Sequence, residues 1–276
     1  MRPPPFEVYG AAEVAAARTV DLKTPIIMIH GAFCGGWAFE QFRQPFEAAG
    51  HVVIAPDLPG HAGQSNSPAV AGLSMTDYVQ SIVALTQDQT TPPILIGHSL
   101  GGLVAQMAGA RARVAGLILL APSAPWGVAG STPQEALSAF SRYALGPFWP
   151  LPVEPDRHAA RVYMLDRLSP EAQNAIYQRM VPESGRALFE TLNWWLDPFA
   201  TTLVSADQVR IPVLGIAGGA DTLHPPATVR TTTERLGGAF VVAPGASHWL
   251  PGEPGWEAIA QTCLEWIIQV ERRAAA

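Results

Sequence analysis

Residues 94–102 run Ile94-Leu95-Ile96-Gly97-His98-Ser99-Leu100-Gly101-Gly102. The apolar start predicts a short buried strand. Leu103, Val104 and Met107 follow at helical spacing. Between strand and helix lies Gly-x-Ser-x-Gly. A serine at the apex of so sharp a turn is forced into strained backbone, and its neighbours two residues away must approach each other closely. Side chains are excluded there and glycine fits. The turn presents the Ser99 hydroxyl above a sheet edge. It aims the Leu100 N–H at the same point, at the positive end of a helix dipole. This is a nucleophile elbow. The alternative, a small-residue turn closing on a helix, does not explain the apolar flanks.

Working outward, Pro25 to Ile29 reads as a buried strand running into the loop His30-Gly31-Ala32-Phe33-Cys34-Gly35-Gly36-Trp37. Three glycines there suggest a close backbone approach. A helix is expected over 37–49, closed by Gly50, then a strand from His51 to Ala55 and a turn-rich loop to Ser65. Ser74 with Asp77 forms a capping pair opening a helix to about Gln89. The elbow helix runs to about Ala110, and Ala115 to Leu120 is another strand. These strands are continuous apolar runs, the pattern of a parallel sheet covered on both faces. Strand patterns are absent between residues 122 and 205. Helical faces are expected there at Leu137, Phe140 and Ala144, after Ser169-Pro170-Glu171, and at Leu188, Leu192 and Leu196. Alternation resumes with a strand from Pro212 to Ala217, a helix from Pro226 to Leu236, a strand from Ala239 to Ala243 and a helix from about Pro254 to Arg272. Phe6 to Tyr9 and Val14 to Leu22 are possible edge strands. The expected organisation is an α/β core of residues 1–121 and 206–276 interrupted by a helical insertion, residues 122–205.

The 276 residues are 48% hydrophobic and 14% charged, with net charge −6. That is enough chain to bury a large core, and the balance argues against disorder. No basic cluster invites nucleic acid. Cys34 and Cys263 cannot make a disulfide framework, and no metal-ligand spacing or cofactor motif occurs. With no apolar leader segment at Met1-Arg2-Pro3 and no run long enough to span a bilayer, a cytoplasmic protein without an integral membrane segment is expected. A homodimer is compatible with all of this.

A serine hydroxyl needs a base to take its proton and a carboxylate to orient that base. In open parallel sheets such groups lie just past the carboxyl ends of strands. Asp221 follows the 212–217 strand and His248 follows the 239–243 strand, giving the chain order Ser99, Asp221, His248. The oxyanion would take one N–H from Leu100 and one from the loop after Ile29, Ala32 first and Phe33 second. Asp57 reads as a residue pinning its loop. His30 reads as fixing the loop that follows it, and His98 as packing away from the serine.

The chain resembles the α/β-hydrolase superfamily in the His30-Gly31 loop ending at Trp37, in Asp57-x-Pro59-Gly60-x-x-Gly63-x-Ser65, in Gly97 to Gly102, and in Asp221 and His248. His-Gly-Ala-x-x-Gly-Gly-Trp with Gly-His-Ser-Leu-Gly-Gly is similar to the esterase branch that includes plant methylesterases and hydroxynitrile lyases. The resemblance implies Ala32 and Leu100 as oxyanion donors and makes residues 122–205 a helical cap. It also argues against several relatives. Epoxide hydrolases and haloalkane dehalogenases carry aspartate at the position of Ser99. Carbon–carbon bond hydrolases usually carry asparagine at that of His98. Hydroxynitrile lyases use an active-site lysine, whereas Lys23, the sole lysine, precedes the first clear strand. The expectation is a serine esterase acting on a small-molecule, apolar ester, with Phe33, Trp126, Trp149, Trp194 and Trp195 as candidate pocket walls. An acyltransferase or perhydrolase with the same triad, or a non-catalytic ligand-binding relative, are the rival readings.

Overall fold

The computed structural model describes residues 23–62, 70–129 and 151–275. The two possible edge strands before Lys23, the Leu137–Phe140–Ala144 face, Gly63, Ser65 and Trp149 lie outside the described residues.

The strands in chain order are β1 (Ile26–Ile29), β2 (Val53–Ile54), β3 (Ile94–His98), β4 (Gly116–Leu120), β5 (Pro152–Val153), β6 (Glu183–Ser184), β7 (Val213–Gly218) and β8 (Ala239–Ala243). Six of them form one parallel sheet in the order β2-β1-β3-β4-β7-β8. Alternate residues of each strand face opposite sides. Ile27, Ile29, Leu95, Leu117 and Leu119 enter one core. Ile26, Met28, Ile94, Ile96, Ile118 and Leu120 enter the other. Both faces are covered, so neither set alternates with polar residues.

Among the described residues the α-helices longer than one turn are α1 (Gln44–Ala48), α2 (Met75–Gln87), α3 (Leu100–Gly109), α4 (Pro170–Tyr177), α5 (Gly185–Leu192), α6 (Pro226–Arg235) and α7 (Trp256–Ala275). α2 and α3 cover the first core through Met75, Tyr78, Leu103 and Val104. α1 and α7 cover the second through Phe46, Ile259, Cys263 and Ile267. The capping box expected at α2 is present: Ser74 accepts from the Thr76 N–H and Asp77 accepts from the Ser74 N–H.

Three expectations are corrected. Residues 37–49 are not one helix but a 3-10 turn, Gly36–Phe39, followed by α1. Pro45 sits in the first turn of α1, where its missing N–H costs nothing, and could not sit inside a continuous helix. Residues 122–205 do contain strands. β5 and β6 pair antiparallel, Pro152 with Ser184 and Val153 with Glu183, in segments too short to show a period of two. Finally, α5 stops at Leu192, so Leu196 leaves the Leu188–Leu192 face. It lies on a separate 3-10 turn and is exposed.

β2 lies on one side of β1 and β3 on the other. The chain reverses its direction of advance there, and the loops leaving β1 and β3 flank the resulting crevice at the carboxyl edge.

Candidate active site

Ser99 joins β3 to α3 with φ 53° and ψ −122°. A left-handed φ is costly for any residue with a Cβ, so the packing around the turn must hold it. The glycines explain how. A Cβ at Gly97 would lie 2.3 Å from the Gly101 oxygen, and one at Gly101 would lie 2.2 Å from the Ile29 oxygen. Those backbones pass too closely for any side chain. The Ser99 N–H donates to the Leu120 oxygen at 3.0 Å, and its own oxygen accepts from Ser123 at 2.9 Å. The serine is thereby fixed to the end of β4.

His248 Nε2 lies 3.0 Å from Ser99 Oγ, and His248 Nδ1 lies 2.9 Å from Asp221 Oδ2. Asp221 Oδ1 accepts from the N–H groups of Leu223 and His224 at 2.8 and 3.0 Å. Burial opposes a charge on Asp221. His248, His224 and these hydrogen bonds outweigh it and hold the carboxyl below its ordinary range. An ionised carboxylate only accepts, so His248 Nδ1 carries the proton and Nε2 faces the serine hydroxyl with a lone pair.

Two further histidines surround His248. His98 Nε2–H donates to the His248 carbonyl at 2.8 Å, and its ring stands edge-on to Trp249. Burial, followed by the nearby His248, pushes the His98 pKa down to about 3. His98 is thus buried away from the serine but also holds the His248 backbone, which the sequence does not reveal. His224 stands edge-on to His248, with Nδ1 2.7 Å from the Ala121 oxygen. Asp57 Oδ1 accepts from the Gly36 N–H at 2.7 Å, as expected of a loop pin.

The loop after β1 lies against the serine: a Cβ on Gly31 would be 3.1 Å from Ser99 Cβ. His30 Nδ1–H donates to the Gly31 oxygen at 2.8 Å, and His30 Nε2 accepts from the Leu58 N–H at 2.9 Å. Burial and then the charge of His61 push the His30 pKa down to about 4. Gly31 C=O and Ala32 N–H belong to one trans peptide and point opposite ways. The His30 hydrogen bond therefore also sets the direction of the Ala32 N–H. Phe33, buried with φ 65°, sends its N–H instead to Glu183 Oε2 at 3.3 Å.

Glu183, on β6, is fully buried. Its Oε2 also accepts from His61 Nε2 at 3.0 Å, and its Oε1 accepts from the Tyr78 hydroxyl at 2.5 Å and the Ser184 N–H at 2.8 Å. His61 Nδ1 lies 3.1 Å from the Pro59 oxygen. Both ring nitrogens thus face acceptors, an arrangement that only an imidazolium satisfies. Burial opposes charge on both partners, but each offsets it for the other. The His61 pKa is raised and the Glu183 pKa lowered. Nothing in the sequence near Glu183 signals this group.

Of the candidate pocket residues, Trp126 and Trp194 are half-buried with ring centroids 5.5 Å apart, while Trp195 is 55% exposed. Among the described residues no cluster of His, Cys, Asp and Glu is arranged to hold a metal, and no helix is long and apolar enough to cross a membrane.

Residues 26–262 match a family model described as alpha/beta hydrolase family. The chain is 32% identical over 91 residues to Methylesterase 3 of Arabidopsis thaliana, a match covering 31% of this chain and 34% of that protein. A second such match, to Salicylic acid-binding protein 2 of Nicotiana tabacum, spans 30% of that relative's length at 34% identity. A pimeloyl-[acyl-carrier protein] methyl ester esterase of Neisseria meningitidis is 29% identical over 83% of this chain and 87% of that one. In fold, the crystal structure of a monoacylglycerol lipase from Paleococcus ferrophilus superposes with a TM-score of 0.69 at 23% identity, over 90% of this chain and 97% of that one. From the sheet order, the elbow and the span of the family match, the chain belongs to the alpha/beta hydrolase family.

Proposed function

We propose that this protein is a serine hydrolase of carboxylic esters with an apolar, small to medium substrate. The observation that carries the proposal is the continuous line from Asp221 through His248 to Ser99, at 2.9 and 3.0 Å, ending on a strained elbow. Relatives named esterase, methylesterase and lipase support the reaction class.

In this reading His248 Nε2 takes the Ser99 proton as Oγ attacks the acyl carbon. Asp221 keeps the imidazole in the correct tautomer and stabilises the imidazolium. The Ala32 and Leu100 N–H groups bind the oxyanion; the Phe33 N–H is excluded because it is turned to Glu183. His248 then protonates the leaving alcohol, and water repeats the sequence on the acyl-enzyme. On this reading the role of a cap falls to the segment 122–205, which leaves β4 at the carboxyl edge beside Ser99 and whose described ends meet where the Trp126 N–H donates to the Thr202 oxygen at 3.1 Å. A cytoplasmic setting belongs to the same proposal, motivated by two buried free cysteines, Cys34 and Cys263.

The test is a panel of p-nitrophenyl and methyl esters of varied acyl length, run beside fluorophosphonate labelling. Ser99→Ala should lose the label and lower kcat by about 10⁶. Equal labelling of the unaltered protein and Ser99→Ala would refute the assignment.

A further inference from the structure

Phe33 is held from two sides by the segment leading into β6. Its N–H donates to Glu183 at 3.3 Å and its oxygen accepts from the Val181 N–H at 2.9 Å. These contacts join residues about 150 positions apart. They also fix a residue at φ 65°, a conformation that a phenylalanine leaves unless its surroundings hold it. Ala32 sits between this clamp and the Gly31 oxygen fixed by His30. Four donors surround the Glu183 carboxylate, two on each oxygen, so its acceptor sites are all used and the group has no freedom to turn. The His61 ring that opposes it packs against the His30 ring, centroids 5.0 Å apart and planes tilted by 59°. Glu183 is thus tied to both peptides that flank Ala32.

We propose that Glu183 is a positioning residue for the oxyanion site: by holding the Phe33 N–H away from the serine, its carboxylate keeps the Ala32 N–H aimed at the developing oxyanion. This rests on the proposed ester hydrolysis. Glu183 touches neither substrate nor Ser99. Its effect passes through the Ala32–Phe33 peptide. When the carboxylate is lost, Phe33 relaxes to a negative φ, the peptide rotates, and one of two oxyanion donors is misdirected. Substrate binding in the ground state depends little on that donor, whereas the tetrahedral intermediate depends on it strongly.

Glu183→Gln replaces two of four acceptor sites with N–H groups facing other donors. Glu183→Asp keeps the charge opposite His61 but withdraws it from the Phe33 N–H by about one C–C bond, roughly 1.5 Å. It therefore serves as the second variant should the first not fold. The readouts are kcat and KM for a p-nitrophenyl ester and the affinity of an aryl trifluoromethyl ketone, whose serine adduct carries an oxyanion. Expected is a fall in kcat of about 10- to 100-fold, short of the 10²–10³ for complete loss of one donor. KM should stay within about twofold, with ketone affinity falling in parallel with kcat. A merely structural role would lower the fraction of active enzyme and leave ketone affinity per active site unchanged. Folded variants that keep kcat and ketone affinity, or that raise KM alone, overturn the proposal while leaving the esterase reading intact. If the unaltered protein neither hydrolyses esters nor takes the fluorophosphonate label, both fall together.

Discussion

Asp221→Asn separates charge from shape at the centre of the site. The two backbone N–H groups of Leu223 and His224 converge on Oδ1, so the asparagine must keep its oxygen there. Its NH₂ then replaces Oδ2, 2.9 Å from His248 Nδ1. An amide donor in that place requires Nδ1 to accept, which moves the ring proton to Nε2. Nε2–H facing Ser99 Oγ at 3.0 Å cannot take the serine proton. The geometry therefore predicts the wrong tautomer, not only a weaker base. The loss in kcat should be about 10⁴, a barrier increase of about 5 kcal/mol. Steady-state hydrolysis of a p-nitrophenyl ester by active-site-titrated protein measures it, with a melting curve to confirm the fold. Asp57→Asn is the matched comparison. Its carboxylate accepts from Gly36 and lies away from the relay, so it should cost about 1 kcal/mol of stability and little activity. An Asp221→Asn enzyme keeping more than about a tenth of the original kcat would refute the tautomer argument, as would Asp57→Asn abolishing turnover at an unchanged melting temperature.

Gly101→Ala should destabilise by about 3 kcal/mol or more, since its Cβ would fall 2.2 and 2.3 Å from two backbone oxygens that cannot move aside; chemical denaturation that finds equal stability would contradict the packing account. The Glu183–His61 pair should stabilise the fold most between pH 4.5 and 6.5. Glu183, lowered from 4.5, contributes fully above that value and loses its contribution as pH falls through the lowered pKa. His61, raised from 6.5, contributes fully below that value and loses its contribution as pH rises through the raised pKa. The melting-temperature gap between the unaltered protein and His61→Gln should accordingly narrow well above pH 6.5, and steady widening there would reverse the sign of the argument. Trp126→Ala and Trp194→Ala should shift kcat/KM unequally between short and long acyl esters, on the scale of about 1–3 kcal/mol, whereas exposed Trp195→Ala should leave the preference order alone; identical preference orders in all three would remove these rings from the pocket.

The parallel sheet was legible because strands buried on both faces leave long apolar runs, as at Ile94–Ile96 and Leu117–Leu120. The elbow was legible because close backbone approach admits glycine alone at positions 97 and 101. Pro45 carried the signal that breaks the 37–49 helix, but apolar spacing on either side of it masked the break. β5 and β6 were not legible, since two residues show no period. Glu183 stayed hidden for a different reason. Its environment comes from Phe33, His61 and Tyr78, each more than a hundred positions away, and a lone carboxylate between Pro182 and Ser184 looks the same on paper whether solvated or buried.

These long separations bear on the order in which the molecule becomes active during synthesis. Ser99 and His248 are 149 positions apart, and Phe33 and Glu183 are 150. β1, β3 and α3 can assemble as soon as they leave the ribosome, because their pairings involve only the first part of the chain. The strained serine is then present without its hydrogen bond to His248 and without the Glu183 contact that holds Phe33. Contacts of such separation form late, after the loop-closure entropy between their ends has been met. A nascent chain halted before β6 would carry the elbow as an inert turn. On the proposed reading, Ser99 gains its base only once the chain has folded as far as His248, and an immature chain would have little capacity to acylate itself on whatever ester it meets.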